Sequence, residues 1–343
     1  MNNTTGTAPI LAVTLGDPAG IGPEIVARTL ADPPAEPPAR GLAVGDAGVL
    51  ERAAGIVGAD VGIRAVRDVA EAHFEPGTID VLDLGVAPGE VAVGEVSAVA
   101  GRAALAAIEC AVRLALDGAV QAVVTAPINK EAIWAAGSTH LGHTELLGEL
   151  TGSSRFQTMF VVDALCIFFT TRHMALREAL GRITRDAVGQ AIDEAATALR
   201  VLGHEQPRIA VAAVNPHGGE GGRFGREELD AIAPACDDAR ARGHDVHGPI
   251  PADAVFHQGL QGRFDAVLCH FHDQGHIAAK TYDFDGTVSV TMGLPILRTS
   301  VDHGTAFDIA GSGTASHGAM AAAYRIAARY ALYAKRLRAE YSV

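Results

Sequence analysis

Short apolar runs, each followed by a polar or glycine-rich loop and then a helical pattern, recur along this chain and constrain its fold. Runs such as Ile10–Leu15, Ala119–Thr125 and Arg208–Val214 are typical of buried parallel strands. Repeated strand-then-helix spacing predicts an α/β fold with a largely parallel sheet.

Composition limits the class of protein and its partners. The chain has 343 residues, of which 48% are hydrophobic and 20% charged, enough for a substantial core and two domains. A net charge of −13 without a basic run argues against nucleic acid and anionic membranes as partners, but leaves a local basic pocket open. The N-terminal MNNTTGTAP lacks the features of a secretory signal, and no apolar run reaches roughly 18 residues. We therefore expect a cytoplasmic protein.

Three histidines each follow a predicted strand. His173, His217 and His272 come directly after, or shortly after, an apolar run. The carboxyl ends of parallel strands converge at one edge of a sheet, so these side chains are expected to approach one another. Neutral imidazoles suit Zn, Ni, Co or Mn and leave coordination positions open for a substrate. A lone histidine is more often not a ligand, so the prediction depends on all three together.

The segment from His270 to Gly313 concentrates polar chemistry between short apolar runs. Only three lysines occur in the whole chain, and Lys280 is one of them, which indicates a site where a compact ammonium is needed. The segment's other notable polar residues include His270, His272, His276, His303, Asp273, Asp302, Asp308 and Arg298.

Two further segments could bind an anion. GDPAGIGPEI, from Gly16 to Ile25, is a glycine-rich loop before a helix, although a structural turn explains it equally well. His143 and Thr144 surround a predicted helix start with Thr or Ser capping, where a capped surface helix is the alternative. A C-terminal helix is expected over Ala319–Arg338. Three of the four widely spaced cysteines lie in apolar surroundings and are expected to be buried free thiols.

Seven stretches follow one another in order along the chain: GDPAGIGPE, TAPINK, GHTE, TTRH, VNPHGGEGG, FHDQGHIAAK and GLPILRTSVDHGTAFDIAG. Taken together, they resemble the 4-hydroxythreonine-4-phosphate dehydrogenase family. The resemblance implies two α/β/α domains with a cleft between them, like those of isocitrate and isopropylmalate dehydrogenases, and a homodimer with its active site at the interface. We place the domains at 1–129 with 300–343, and at 130–299.

The resemblance also implies roles for individual residues. A divalent metal (Zn, Co, Ni, Mn or Mg) would be held by three histidines from both subunits, and NAD, with NADP as an alternative, would lie along residues 293–305. The expected metal ligands are His173, His217 and His272. The expected substrate contacts are His143, Thr144, Lys280, Ser289 and Arg298. The expected NAD contacts are Gly293, Leu294, Thr299, Asp302, His303 and Thr305.

The small-molecule substrate is expected to be anionic, but its identity stays open. Ser289 stands where the family commonly has Asn, and Phe271 where it usually has Tyr. Phosphorylated hydroxy acids (4-phosphohydroxythreonine, phosphothreonate or phosphoerythronate) are the first choice. A carboxylated cyclohexadiene dihydrodiol from terephthalate breakdown is the alternative.

The expected chemistry is oxidation of a hydroxyl group by NAD, followed by decarboxylation of the 3-keto acid, with a metal polarising the substrate oxygens. Asp273, next to His272, is expected to orient that ligand, and Lys280 or a metal-bound water would be the general base. A metal-dependent hydrolase and a non-catalytic binding protein are the rival interpretations.

Overall fold

A computed structural model describes residues 8–87 and 91–342 of the chain. The N-terminal MNNTTGT lies outside the described residues. So do residues 88–90, which belong to the stretch from Ala87 to Gly101 whose sequence predicts a loop. The chain forms two compact units: one contains the residues up to Phe156 and those from Val288 onward, and the other is Gln157–Thr287. The predicted α/β class is confirmed.

Strands and helices alternate over most of the chain. The strands are β1 (Ile10–Thr14), β2 (Arg40–Gly45), β3 (Gly62–Val66), β4 (Thr78–Asp83), β5 (Ala122–Thr125), β6 (Gln157–Val162), β7 (Leu165–Phe169), β8 (Arg208–Ala212), β9 (Asp245–Ile250), β10 (Ala266–Cys269), β11 (Val288–Met292) and β12 (Arg298–Ser300). The α-helices are α1 (Gly22–Ala31), α2 (Ala47–Val57), α3 (Ala98–Asp117), α4 (Lys130–Ala135), α5 (His143–Thr151), α6 (Leu176–Gly181), α7 (Arg185–Val201), α8 (Ala233–Ala241), α9 (Ala252–Leu260), α10 (His272–Tyr282), α11 (Gly318–Tyr330) and α12 (Ala334–Tyr341).

The first unit contains a sheet with strand order β3-β4-β2-β1-β5-β12-β11. Its pairs are parallel except β11 with β12. Helix α3 packs on this sheet, with Ala107, Ile108 and Ala111 buried in the same cluster as the strand residues. The helix begins where Ser97 Oγ accepts from Ala100 N at 3.1 Å, and ends at Gly118, whose φ of 81° is left-handed.

A close approach of two helices fixes the segment that carries Asn129 and Lys130. A Cβ added to Gly101 in α3 would lie 2.0 Å from Ala132 O in α4, so only glycine permits this contact. Helices α4 and α5 both pack against α3. Residues 130–156 and 288–299 therefore belong to the first compact unit, which differs from the boundaries expected from the sequence.

The second unit contains the strand order β6-β7-β10-β8-β9. Strand β10 pairs in parallel with β7 on one side and β8 on the other, and β6 pairs antiparallel with β7. The connection between β6 and β7 is a tight turn in which Asp163 has a φ of 54°. Strand β10, which precedes His272, therefore lies between β7, which precedes His173, and β8, which precedes His217, and is parallel to both.

The C-terminal helix predicted over Ala319–Arg338 is not continuous. It is divided into α11 and α12 by a 3₁₀ turn at Ala331–Tyr333. In α12, Leu337 is fully buried and Arg338 Nη2 donates to Ala115 O. Helices in proteins are stabilised mainly by such tertiary packing, and the sequence pattern alone does not mark the 3₁₀ turn.

The four cysteines are buried and free, which confirms the prediction made for three of them. Among the described residues, no helix has both the length and the apolar character needed to cross a membrane.

Candidate active-site residues

Among the described residues, the hydrogen-bond partners of one buried arginine in the first unit are all hydroxyl groups. Arg298, on β12, is 5% exposed. Its Nε and Nη2 donate to Thr125 Oγ1 at 3.1 and 2.7 Å, and its Nη1 donates to Thr291 Oγ1 at 3.2 Å. No ion pair joins it to a carboxylate within residues 8–87 and 91–342. Burial lowers the pKa of Arg298 to about 10, so it stays charged at neutral pH.

An unneutralised buried cation is costly unless an anion accompanies it. Arg298 therefore indicates an anion-binding position, and the group formed by Arg298, Thr125, Thr291 and His143 is called the Arg298 site below.

His143 adds a second polar group to this site. Burial, and next the positive charge of Arg298, lower the pKa of His143 well below 6.5, so the imidazole is neutral at pH 7. Its Nε2 is shielded from solvent and has no hydrogen-bond partner in the described part of the chain. His143 begins α5, and the N-cap is Gly142 without a side-chain cap, which corrects the predicted Thr or Ser cap. Thr144 follows in the first turn and is half-buried.

Since the folded protein holds His143 neutral, this residue should lower stability in acid. The unfolded chain, with a histidine pKa of about 6.5, takes up the proton first as pH falls, so stability is lost below pH 6.5 by up to about 1.4 kcal/mol per pH unit. Between pH 7.5 and 5.5 the melting temperature of wild type should therefore fall further than that of His143→Gln. Parallel melting profiles for the two proteins would contradict the assignment.

The sequence did not assign Thr125, Thr291 or Lys130 to the site. Asn129 Oδ1 accepts from Ala132 N at 2.9 Å and starts α4. The exposed side chain of Lys130 then extends toward Gly142, where its Cε would lie 4.0 Å from an added Cβ. The TAPINK motif was the available signal, because it contains Thr125 and Lys130 together.

Ser289 lies on the strand next to Arg298. It is 9% exposed and opposite Ser300 in the β11–β12 register, two residues from Thr291, which binds Arg298. Residues two apart on a strand face the same side of the sheet, so Ser289 shares the face of Thr291. This places the departure from the family pattern beside the Arg298 site.

Several predicted NAD contacts have structural roles in the first unit. Leu294 is fully buried in the main core cluster, and Thr299 Oγ1 donates to Ala323 O at 3.0 Å. Gly293 has a φ of 90°, and a Cβ there would lie 2.5 Å from Arg155 O. Only the backbone of these residues would be left to contact a cofactor.

The end of the same segment is more open. Asp302 is exposed and His303 half-buried, with His303 Nδ1 lying 3.0 Å from Gly304 O. Thr305 is buried, and its carbonyl accepts from Ile21 N at 3.0 Å, which ties the segment to the GDPAGIGPE loop. Residues 302–304 can therefore present a carboxylate and an imidazole to a ligand.

In the second unit, two of the predicted metal ligands come close together. The rings of His173, after β7, and His272, at the start of α10, have centroids 5.7 Å apart. His272 Nδ1 lies 2.7 Å from Asp273 Oδ1, the contact that an orienting carboxylate makes while leaving Nε2 available. His276, one turn later in α10, stacks on His272, with 3.8 Å between the centroids of the two rings. His173 and His272 are called the imidazole pair.

His270 has a structural position. It is fully buried, and its Nε2 lies 2.7 Å from Ala212 O, while its Nδ1 is 3.2 Å from Thr170 Oγ1. Burial lowers the pKa of His270 to about 4, so it is neutral. Gln274 accepts from His270 N and donates to Ala213 O, both at 2.8 Å. These bonds attach the start of α10 to the end of β8.

His217 lies in an uncommon backbone conformation. Residues His217–Gly221 all have left-handed φ values, between 46° and 81°, and two of them, His217 and Glu220, are not glycine. Each such residue costs on the order of 1–2 kcal/mol, and strain of this kind clusters at functional sites. The glycines of NPHGGEGG were the sequence signal for this turn.

A buried carboxylate supports the turn. Glu228 is 2% exposed and accepts from Val214 N at 2.8 Å and from Asn215 N at 2.7 Å. Asn215 Nδ2 also donates to Glu228 Oε2 at 2.9 Å. A Cβ on Gly219 would lie 2.8 Å from that oxygen, so the turn and Glu228 require each other.

Two further predicted site residues of the second unit are Lys280 and His217. Lys280, in the last turn of α10, places its Nζ 5.3 Å from the centre of the Phe284 ring. Over the described ranges, no three His, Cys, Asp or Glu side chains form a group that could hold a metal ion, so His217 does not complete the pair within one chain.

The sequence matches the profile of a known protein family. The profile described as pyridoxal phosphate biosynthetic protein PdxA matches residues 38–327. The chain belongs to the PdxA family. The resemblance inferred from the motifs is thereby confirmed, as is the class of enzyme, an oxidoreductase acting on CH–OH groups.

Individual PdxA relatives carry different names. A Cutibacterium acnes protein with the provisional name D-threonate 4-phosphate dehydrogenase is 51% identical over 337 residues, 97% of each chain. A Klebsiella pneumoniae structure named 4-hydroxythreonine-4-phosphate dehydrogenase is 43% identical, with a TM-score of 0.88 over 96% of this chain and 99% of that one. A Burkholderia xenovorans terephthalate 1,2-cis-dihydrodiol dehydrogenase structure is 32% identical, with a TM-score of 0.64 over 94% and 98%.

Proposed function

We propose that the chain oxidises the 3-hydroxyl group of a phosphorylated hydroxy acid, of the threonate 4-phosphate type, with NAD as the hydride acceptor. The observation that carries this proposal is the buried, charged Arg298, which has hydroxyl partners only and lies beside a neutral histidine. Such a site favours an anionic group with many acceptor oxygens, as a phosphate has.

The relatives support a phosphorylated substrate over the ring carboxylate. The relative named for threonate 4-phosphate is 51% identical, whereas the one named for a dihydrodiol is 32% identical. Phosphohydroxythreonine and phosphoerythronate remain close alternatives, because they carry the same phosphate and 3-hydroxyl groups.

Oxidation of the 3-hydroxyl group transfers a hydride to NAD and releases a proton, and it yields a 3-keto acid. Loss of carbon dioxide from that acid breaks the bond between its first two carbons and leaves a phosphorylated hydroxyketone. In this assignment Arg298, His143 and Thr144 bind the phosphate. Lys280 is assigned to the substrate by the family resemblance, and it is one candidate for the general base.

The imidazole pair fits a divalent metal in its donor chemistry. Asp273 fixes Nδ1 of His272, so Nε2 is the available ligand atom, and His173 supplies a second imidazole nearby. A metal bound there would supply Lewis-acid stabilisation of charge on the substrate oxygens. His217 is proposed as the third ligand, in a homodimer whose metal site takes ligands from both subunits. Its separation from the pair within one chain is consistent with that arrangement.

Two side chains are proposed to contact NAD. Asp302 and His303 are the side chains of residues 293–305 that reach solvent and could contact a dinucleotide. A carboxylate at this position suits the ribose hydroxyls of NAD.

A substrate panel tests the proposal. The purified protein, with Mg, Mn, Co, Ni or Zn, would be incubated with NAD and each of 4-phosphohydroxythreonine, phosphothreonate, phosphoerythronate and a terephthalate dihydrodiol. We expect NADH formation with phosphothreonate above the others. Turnover of the dihydrodiol alone would overturn the substrate assignment, and phosphate release without NAD would indicate a hydrolase.

Ser289→Asn tests how the substrate is recognised. Asn adds an amide donor beside Thr291, so kcat/KM for phosphorylated acids should rise by roughly fivefold, as expected for a gain of about 1 kcal/mol. If a ring carboxylate is the natural substrate, the longer side chain should instead lower activity. Both substrate classes would be measured with wild type and the variant, and with Ser312→Asn as an exposed control.

A further inference from the structure

The guanidinium group of Arg298 has two N–H groups that remain for a ligand. A guanidinium has five N–H groups. Three of them point to hydroxyl oxygens, from Nε and Nη2 to Thr125 and from Nη1 to Thr291. One N–H is left on each terminal nitrogen, and two N–H groups on separate nitrogens are what a bidentate contact with a phosphate requires.

The hydroxyl of Thr125 donates away from Arg298, to Ser300 Oγ at 3.1 Å, with Thr299 O as a longer second acceptor at 3.5 Å. Ser300 Oγ donates to Val301 O at 2.9 Å, so it can accept from Thr125 Oγ1, which lies 3.1 Å away. With its proton directed to Ser300, Thr125 Oγ1 turns both lone pairs to Arg298. The β5–β12 register, which sets Ser300 opposite Thr125, fixes this chain of hydrogen bonds.

We propose that Thr125 is a positioning residue for substrate phosphate: its oriented, uncharged hydroxyl directs the Arg298 guanidinium and leaves the positive charge available to the anion. This inference deepens the proposed function and rests on it. A carboxylate in the same place would also direct the guanidinium, but it would neutralise the charge. Thr125 can therefore orient the guanidinium group without neutralising its charge, whereas an acidic partner would do both.

Two substitutions test the orientation. Thr125→Val keeps the shape and removes the acceptor, and should weaken inorganic phosphate binding and raise the KM for phosphothreonate, each by about 10- to 100-fold, with a smaller effect on kcat. Thr125→Ser keeps the hydroxyl and should stay within about threefold of wild type. Thr29→Val is the matched control, because Thr29 is also fully buried and its hydroxyl donates to Ile25 O at 2.7 Å. Wild-type phosphate affinity in Thr125→Val would overturn the proposal.

A second pair tests the charge and remains informative if Thr125→Val does not fold. Asn and Asp have the same shape, and both offer an oxygen to Arg298, but only Asp neutralises it. Thr125→Asn should therefore bind inorganic phosphate at least tenfold more tightly than Thr125→Asp, measured by calorimetry. Equal affinities in the two variants would overturn the proposal.

The two readouts separate this inference from the proposed function. If phosphate binding depends on residue 125 as described but no phosphorylated acid is oxidised, the proposed substrate is wrong and the positioning role stands. If phosphothreonate is oxidised and the Thr125 variants bind phosphate and substrate as wild type does, the positioning role is wrong.

Discussion

Arg298→Met should lower kcat/KM for phosphothreonate by about 30-fold to several thousand-fold, which corresponds to a loss of roughly 2–5 kcal/mol. The reason is that Arg298 supplies a full positive charge and two remaining N–H groups at a buried position. Methionine has a similar length and no charge, so it removes the anion contact with little change in packing. Steady-state rates of NADH formation over a range of substrate concentrations measure the effect.

The same substitution should not destabilise the protein when no ligand is present. Arg298 is a buried charge without an acidic partner, and removing such a charge relieves a desolvation cost. Thr125 keeps its hydrogen bond to Ser300 in the variant. We therefore expect a melting temperature equal to or above that of wild type in phosphate-free buffer.

Arg208→Met is the matched control for this prediction. Arg208 donates to Asp265 through Nε at 3.1 Å and Nη2 at 2.8 Å, so its charge is paired. Its loss should lower the melting temperature and leave turnover close to wild type. A destabilised Arg298→Met protein with normal kcat/KM would show that Arg298 has a structural role instead.

The sequence predicted the strand-and-histidine pattern because that signal is local. Each of β7, β8 and β10 is a short, largely apolar run, and polar residues follow it within three positions. Their parallel pairing brings these strand ends together, so proximity of His173 and His272 could be anticipated from strand order alone. The left-handed turn at His217 was signalled in part by its glycines.

The hydroxyl partners of Arg298 could not be read from the sequence in the same way. Thr125 and Arg298 are separated by 173 positions, and only the β5–β12 register brings them together. The side chains of β12, which include the predicted NAD contact Thr299, alternate between the two faces of the sheet. Arg298 and Ser300 face Thr125, whereas Thr299 faces Ala323 of α11.

Single changes of His173, His217 or His272 to Ala should abolish NADH formation and lower bound metal below one ion per subunit. The first and last form the imidazole pair, and a metal site loses affinity steeply when a ligand is removed. Asp273→Asn should have a milder effect, about 10- to 100-fold in metal affinity, because it acts through His272 Nδ1. Metal content is measured by atomic emission after gel filtration. Histidines predicted to be dispensable are His140, His244, His247 and His257.

Two of the histidines predicted to be dispensable, His140 and His244, have carboxylate partners that account for their positions without a metal. His140 Nε2 lies 3.3 Å from Glu149, and His244 Nε2 lies 2.8 Å from Asp193. Their replacement should change stability slightly and metal content not at all. Full metal occupancy in all three ligand variants would show that the histidines after β7, β8 and β10 serve another purpose.

Mixing two inactive variants distinguishes a metal site built from both subunits from one within a single chain. Because the proposed site takes His217 from one subunit and the imidazole pair from the other, His217→Ala and His272→Ala should complement each other in a heterodimer. If the ligands come from different subunits, one of the two sites in that heterodimer keeps all of its ligands, whereas the other loses both. Subunits refolded together at equal ratio form about half heterodimers, so activity should recover to roughly a quarter of wild type. Heterodimers that form, as shown by two distinguishable affinity tags, and remain inactive would contradict the shared metal site.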